Sequence, residues 1–344
     1  MKTFYSTAHL AHAPTLEFEM GRMGPAVEVP ERVERVRAEI EARKLGPILE
    51  PREFGNEPLL RIHDPDFVGF LTTAHAQWTK RYGEREGADA YPSVWPARGL
   101  RERRHGDIES QLGSYAFDTA TPITKGTWAA SHAAANAALS AAQAIREGER
   151  ASFSLARPPG HHASADVFGG YCYLNNVAIA AQWLADAGMR PAILDVDYHH
   201  GNGTQAIFYR RDDVFFASVH ADPAFAYPHF LGFADELGEG NGEGFNLNLP
   251  LPRGTDWGGY SLALATALDA IAAFRPDVLL VSLGLDTYEH DPICRFRITT
   301  EDYLRIGARI ATLGKPTLFI FEGGYHIEAL GRNTANVLEG FAGG

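Results

Sequence analysis

Two cysteines, Cys172 and Cys294, are all the thiol chemistry this chain contains. They cannot build the disulfide framework of a small secreted protein, nor the cysteine-rich shell of a structural zinc site. No stretch approaches the roughly 20 apolar residues that a membrane-spanning helix needs. The N-terminal MKTFYSTAHLAHAP has no apolar core of signal-peptide length, so a cytoplasmic protein is expected. Positive charge is the scarcer sign, with 31 Lys and Arg against 43 Asp and Glu and a net charge of −12. That balance argues against a nucleic-acid or membrane-surface partner and weakly favours a cationic ligand. There is no Gly-x-Ser-x-Gly elbow and no GxxxxGK[ST] loop, which argues against serine hydrolases and P-loop enzymes. No internal repeat is visible.

What the sequence does have is apolar content, 45% of its residues, enough for a sizeable core. Short, nearly continuous apolar runs at 151–156, 192–197, 214–219, 245–249, 278–284 and 317–322 read as strands buried on both faces. Helical patterns fall at 31–45, 65–79, 127–147, 175–187, 257–274, 300–313 and 326–341, with Thr300 ahead of Glu301 and Asp302 as a helix start. The alternation predicts one α/β domain over 1–344, built on a parallel sheet with helices on both faces. Residues 80–106 break the pattern, being rich in Gly, Pro and charge without a period. A loop that long inside a compact domain is usually functional or mobile.

The polar clusters follow the strands. The first strand leads into Arg157-Pro-Pro-Gly-His161-His162, the second into Asp195, Asp197 and His199, the fifth into Asp286 and the sixth into Glu322-Gly-Gly-Tyr325. Ligands of open α/β sheets gather beyond the carboxyl ends of the strands, where all four clusters fall. If Ala192 to Tyr198 is a strand, Asp195, Asp197 and His199 point to one face. Carboxylates converging on an imidazole are costly unless a cation neutralises them. Asp197, His199 and Asp286 make a two-carboxylate, one-histidine set with an open position, which suits catalytic zinc and also iron, cobalt or manganese. Asp195 is placed to orient His161 or to bind a monovalent cation with nearby carbonyls. His161 and His162 are the candidates for proton transfer near neutral pH. Tyr325, after Gly323-Gly324, is a candidate donor to an oxyanion. The residues thus point to metal-assisted hydrolysis of a carbonyl compound.

The motifs RPPGHH, LDVDYHHGNG, SLGLDTYEHDP and EGGY, with FGGYCYLNN and VFFASVH, resemble the zinc-dependent histone deacetylase superfamily. The likeness covers most of 150–326, and DIESQLGSYAFDTATPITKGTW is similar to bacterial acetylpolyamine amidohydrolases in particular. The resemblance implies an arginase/deacetylase-like α/β fold, with a parallel sheet of about eight strands. It implies zinc on Asp197, His199 and Asp286, with His162 as general base and acid, His161 assisting and Tyr325 polarising the acetyl carbonyl. A monovalent cation (K+ or Na+) would be held by Asp195, Asp197, His199, Ser218 and Val219. Asn202 stands where many protein deacetylases of the superfamily carry aspartate. An amide there stabilises imidazolium less, leaving His162 neutral more readily. Phe168, Gly170 and Tyr171 match the wall that grips the substrate's alkyl chain, with Gly324 beside it. Glu17 and Glu109 match acidic groups that face the substrate's distant ammonium near the mouth. The 80–106 insertion would narrow that mouth and build a homodimer contact.

The expected activity is removal of acetyl groups from acetylated polyamines such as acetylputrescine, acetylcadaverine and acetylspermidine, releasing acetate. An acetyl-lysine peptide deacetylase is the nearest alternative, with the same chemistry behind a wider mouth. A ureohydrolase on the same fold would need a second set of metal ligands that the sequence does not display. A non-catalytic binding protein would have no use for His162, Tyr325 and all three ligands together.

Overall fold

The computed structural model describes residues 1–19, 21–84, 89–97, 99 and 106–344. Ten strands occur among them: β1 (Lys2–Phe4), β2 (Leu16–Glu19), β3 (Arg22–Pro25), β4 (Ile48–Leu49), β5 (Ala151–Ser154), β6 (Pro191–Asp195), β7 (Phe215–Ala221), β8 (Asn246–Leu251), β9 (Val278–Leu283) and β10 (Thr317–Phe321). Eight form one sheet in the order β4-β1-β5-β10-β9-β6-β7-β8, and every pairing in it is parallel. The other two make an antiparallel hairpin. The six sequence-predicted strands are all present. The short β1 and β4 and the hairpin carry too few residues to show a period, so pattern reading passed over them.

Alternation along the central strands divides the core in two. Val278 and Leu280 of β9 face one apolar layer, which holds the inner faces of helices Pro65–Tyr82, Ile108–Tyr115, Thr127–Arg146 and Asn176–Asp186. Leu279, Val281 and Leu283 face the other, with helices Glu31–Ala42, Trp257–Phe274, Thr300–Ala311 and Ile327–Gly343. A strand buried on both faces must be apolar throughout, which is why these runs lack the polar alternation of a half-exposed sheet. The helix Thr300–Ala311 starts where expected, with Thr299 as its cap. Thr299 accepts from the backbone of the first turn while Asp302 Oδ2 accepts the Thr299 N–H at 2.9 Å, a reciprocal capping box. Helices Glu57–Leu60, Ile108–Tyr115 and Asn202–Phe208 are short and were not expected. No helix among the described residues is long and apolar enough to cross a membrane.

The irregular region expected at 80–106 is partly ordered. Ala90 bridges to Ile123, Tyr91 Oη donates to the Leu16 carbonyl at 2.7 Å, and Trp95 Nε1 donates to the Ala116 carbonyl at 2.8 Å. Its residues 85–88, 98 and 100–105 lie outside the described residues.

Candidate active site

The four strands that carry the polar motifs, β5, β10, β9 and β6, are neighbours at the centre of the sheet. Their carboxyl ends therefore converge. Glu322, just after β10, holds the loop after β5: its Oε2 accepts the N–H groups of Gly160 at 2.6 Å and His161 at 3.2 Å. The same loop is anchored by Arg157. Its buried guanidinium lies 2.7 Å from Glu28 Oε1 and donates to the carbonyls of His9 and His12. Glu28 also binds the buried Arg32 at 2.8 Å.

The strand β6 ends at Asp195, short of the expected Tyr198. Asp197 and His199 instead lie in the segment after it, and hydrogen bonds rather than pleating aim them. Asp197 N–H donates to Asp195 Oδ1, His199 N–H to Asp197 Oδ1, and Tyr198 N–H to Asp286 Oδ1. As a result His199 Nδ1 lies 2.9 Å from Asp286 Oδ2 and 3.3 Å from Asp197 Oδ1. Asp195 turns away from this trio, with Oδ2 2.9 Å from His161 Nδ1. In the sheet register it stands opposite Ser218, whose Oγ lies 2.8 Å from His220 Nδ1; Val219 follows in the same buried strand.

Three buried carboxylates and two imidazoles in one place distort each other's titration. Burial works against a charged His199 ring, but Asp197 and Asp286 prevail and push its pKa up to about 10. Burial is likewise outweighed at His161, where Asp197 and Asp195 raise the pKa to about 10. Burial and the neighbouring Asp197 charge push Asp286 up to about 7, whereas His161 and His199 overcome burial and hold Asp197 well below the ordinary range. Such opposed shifts mark a cluster of charges that a cation would balance. Two carboxylates and an imidazole nitrogen converging in this way fit a divalent ion. Cys294 Sγ also lies within 4.8 Å of the ligand atoms of His199 and Asp286. Burial, then Asp286, pushes its thiol well up, which makes it a poorer donor than the carboxylates.

His162 stands beside the trio, its ring centroid 6.0 Å from that of His199. Its Nδ1 lies 2.6 Å from Asn202 Oδ1, an acceptor, so the N–H sits on Nδ1 and Nε2 keeps its lone pair. Burial and the charges of His161 and His199 hold its pKa well below the ordinary value, leaving a neutral ring. Gly170, at φ 55°, closes over that ring: a Cβ there would come within 2.2 Å of His162 Cδ2. Tyr325 is fixed by Asp291 Oδ2, which accepts its N–H at 2.8 Å, and by the Arg32 guanidinium, 4.7 Å from the ring centroid. Burial raises the phenol well above its usual pKa, with Arg32 opposing, so its hydroxyl stays a donor.

His162, His199, Gly170, Tyr171 and Tyr325 line one cavity of about 410 Å³, together with Tyr198, Phe225, Tyr227 and Ile293. Among the described residues, its other ionisable linings are Asp118, His229, Arg253 and Arg295. Several expected site residues stand apart from this cavity. Phe168 is completely buried, stacked between Phe70 and Tyr173, because its backbone bonds to Tyr115 and Phe117 turn the ring into the core. Gly324 does not line the cavity; its carbonyl accepts from Arg32 Nε at 2.6 Å. Glu17 is buried in a smaller adjoining cavity that shares Ala120 and Tyr171 with the large one. Glu109 lies half-buried in the first turn of its helix, also off the large cavity.

Sequence reading missed Glu322, Asp291, Arg32, Asp118 and Tyr227. Glu322 stood in the EGGY motif and Asp118 in FDTATP, but no spacing rule ties either to a loop on another strand. Tyr227 Oη donates to Asp118 Oδ2 at 2.7 Å, and its ring meets that of His162 at right angles, 5.0 Å away.

A family model described as the histone deacetylase domain matches residues 26–341. Acetylpolyamine amidohydrolase 1 of Pseudomonas aeruginosa is 52% identical, over 100% of this chain and 99% of its own. The acetylpolyamine amidohydrolase of Mycoplana ramosa is 45% identical over the full length of both. The crystal structure of an acetylpolyamine aminohydrolase from Burkholderia pseudomallei superposes with a TM-score of 0.94 at 41% identity, covering 99% of this chain and 98% of that one.

Proposed function

The chain belongs to the histone deacetylase domain family, and we propose that it is a metal-dependent amide hydrolase that deacetylates acetylated polyamines, releasing acetate and the free polyamine. The observation that carries this reading is one cavity lined by His162, Tyr325 and His199, the last a member of the trio it forms with Asp197 and Asp286. The full-length similarity to acetylpolyamine amidohydrolases supports the substrate class.

Asp197, His199 and Asp286 would hold the divalent ion, which we take to be zinc, with iron or cobalt as substitutes. When bound, it supplies Lewis acidity toward water and the acetyl carbonyl. His162 Nε2 accepts the proton of the attacking water and returns it to the leaving amine; its Nδ1–H stays with Asn202 throughout. His161, locked to Asp195, adds positive charge behind His162. The Tyr325 hydroxyl donates to the oxyanion that develops on the carbonyl oxygen. Gly170 and Tyr171 border the alkyl chain of the substrate.

The Asp195–Ser218 pairing supports a monovalent cation, K+ or Na+, in that pocket, with Val219, Asp197 and His199 completing it. We further take 1–344 as one catalytic domain working in the cytoplasm as a homodimer. The 80–106 segment would narrow the mouth and contribute the dimer contact; the tethering of Tyr91 and Trp95 beside the hairpin and helix Ile108–Tyr115 supports this.

Kinetics of the zinc-loaded protein test the proposal. N-acetylputrescine, N-acetylcadaverine and acetylspermidine should each give a higher kcat/KM than an acetyl-lysine peptide. Preference for the peptide would keep the chemistry and overturn the substrate.

A further inference from the structure

Two exposed arginines line the cavity. Arg253 follows β8 and Arg295 follows the loop after β9, and both line the cavity that holds His162 and Tyr325. Both are exposed, whereas His162 and Tyr325 are buried, so the guanidinium groups stand toward solvent. Their loops are tied to each other: Gly254 N–H donates to the Arg295 carbonyl at 2.8 Å. Each side chain is also fixed. The Arg253 guanidinium carbon lies 4.6 Å from the centroid of the Phe225 ring, and Arg295 Nη1 donates to the Cys294 carbonyl at 2.6 Å. The partners they use are a ring face and two carbonyls, and among the described residues neither forms an ion pair.

Among the described residues, the one carboxylate lining the same cavity is already engaged. Asp118 Oδ2 accepts from Gly170 N–H at 2.6 Å and Tyr227 Oη at 2.7 Å, and Oδ1 accepts from Ala120 N–H at 3.1 Å. Among the described residues, the cavity lining beyond the reaction centre therefore offers two guanidinium groups without an ion-pair partner.

We propose that Arg253 and Arg295 form an anion-binding subsite at the cavity's outer end, which admits a second substrate class: acetylated ω-amino acids, whose far end is a carboxylate. This rests on the amide-hydrolase reading of the cavity. Guanidinium groups match a carboxylate with paired donors, and two that line one cavity from hydrogen-bonded loops, each held by its own anchor, are pre-organised for it. The reaction is the same hydrolysis. The amide C–N bond breaks, water gives its hydroxyl to the acetyl carbon and a proton to the nitrogen, and acetate and an ω-amino acid leave.

The test uses three amides with one spacer and different ends, turned over by the zinc-loaded full-length protein: 6-acetamidohexanoate, N-acetylhexylamine and N-acetylcadaverine. The expected result is a kcat/KM for the carboxylate roughly tenfold above that of the neutral hexylamine, the scale of two exposed charge pairs. Arg253→Gln with Arg295→Gln should abolish that ratio, and added salt should shrink it in the wild type only. A carboxylate no better than the neutral amide, or a ratio unchanged in the double variant, overturns the subsite while the hydrolase reading stands. Failure of all three amides to turn over overturns both.

Discussion

His162 gives its Nδ1–H to Asn202 Oδ1 across 2.6 Å, and Asn202 returns its amide to the His162 carbonyl at 3.3 Å. The exchange fixes the ring, its tautomer and the direction of its free lone pair. An amide accepts that hydrogen bond without adding a negative charge, so nothing at this end of the ring favours imidazolium as a carboxylate would. Asn202→Asp should therefore raise the pKa of His162 and move the acidic limb of the kcat/KM–pH profile to higher pH. An unmoved limb would remove Asn202 from control of the base. Asn202→Ala should lower kcat about 10- to 100-fold by freeing the ring.

Tyr325→Phe keeps the ring contact with Arg32 and the backbone bond to Asp291 but loses the hydroxyl. The expected loss in kcat is about 10²- to 10³-fold, the usual cost of one oxyanion donor. Zinc content, measured by atomic emission, should be unchanged because the tyrosine is outside the carboxylate–histidine trio. Full turnover in this variant would end its assigned role.

Gly323 lies against two of the proposed ligands. A Cβ there would come within 2.6 Å of Asp197 Oδ2 and 2.7 Å of Asp286 Oδ2, and its N–H already donates to Asp197 Oδ2 at 2.8 Å. Gly323→Ala should displace both carboxylates and lower zinc affinity at least tenfold. Titration with a competing chelator measures it, and wild-type affinity would show that the trio does not hold the metal.

Glu28 carries the charge balance of the N-terminal packing. Burial opposes its ionisation, but Arg157 and Arg32 prevail and hold its pKa at about 2, below the ordinary 4.5. A depressed carboxylate stabilises the fold above its unfolded pKa and loses that contribution as pH falls. The window here runs from about 4.5 down to about 2, and the amount is of order 3 kcal/mol. Glu28→Gln should destabilise by roughly 3–5 kcal/mol at neutral pH, because two buried guanidinium groups lose their shared partner. Urea unfolding at a series of pH values should show this loss, and a shallower decline than wild type below about pH 4.5. A variant as stable as wild type at pH 7 would show that Glu28 is not needed to compensate those charges.

The apolar runs and the motifs behind them determined much of this protein. A strand covered on both faces has to be apolar at every position, so β5 to β10 were legible as a parallel sheet, and the polar residues after them as a site at its carboxyl edge. Asp197, His199, Asp286, His162 and Tyr325 were legible for the same reason: each lies in the segment that follows a central strand. Only the tertiary structure decided what came from afar. The order β5-β10-β9-β6 made four strand ends adjacent although their segments are spread over half the chain. Glu322 reached the His161 loop, and Glu28 reached Arg157, through contacts that no local spacing encodes. Phe168 and Tyr171 stand three apart in one loop, yet backbone bonds send one into the core and leave the other at the cavity. The charge at the mouth was decided in the same way. The chain as a whole is acidic, but a loop after β8 and another after β9 bring two arginines together there, and net charge carries no information about where each sign ends up.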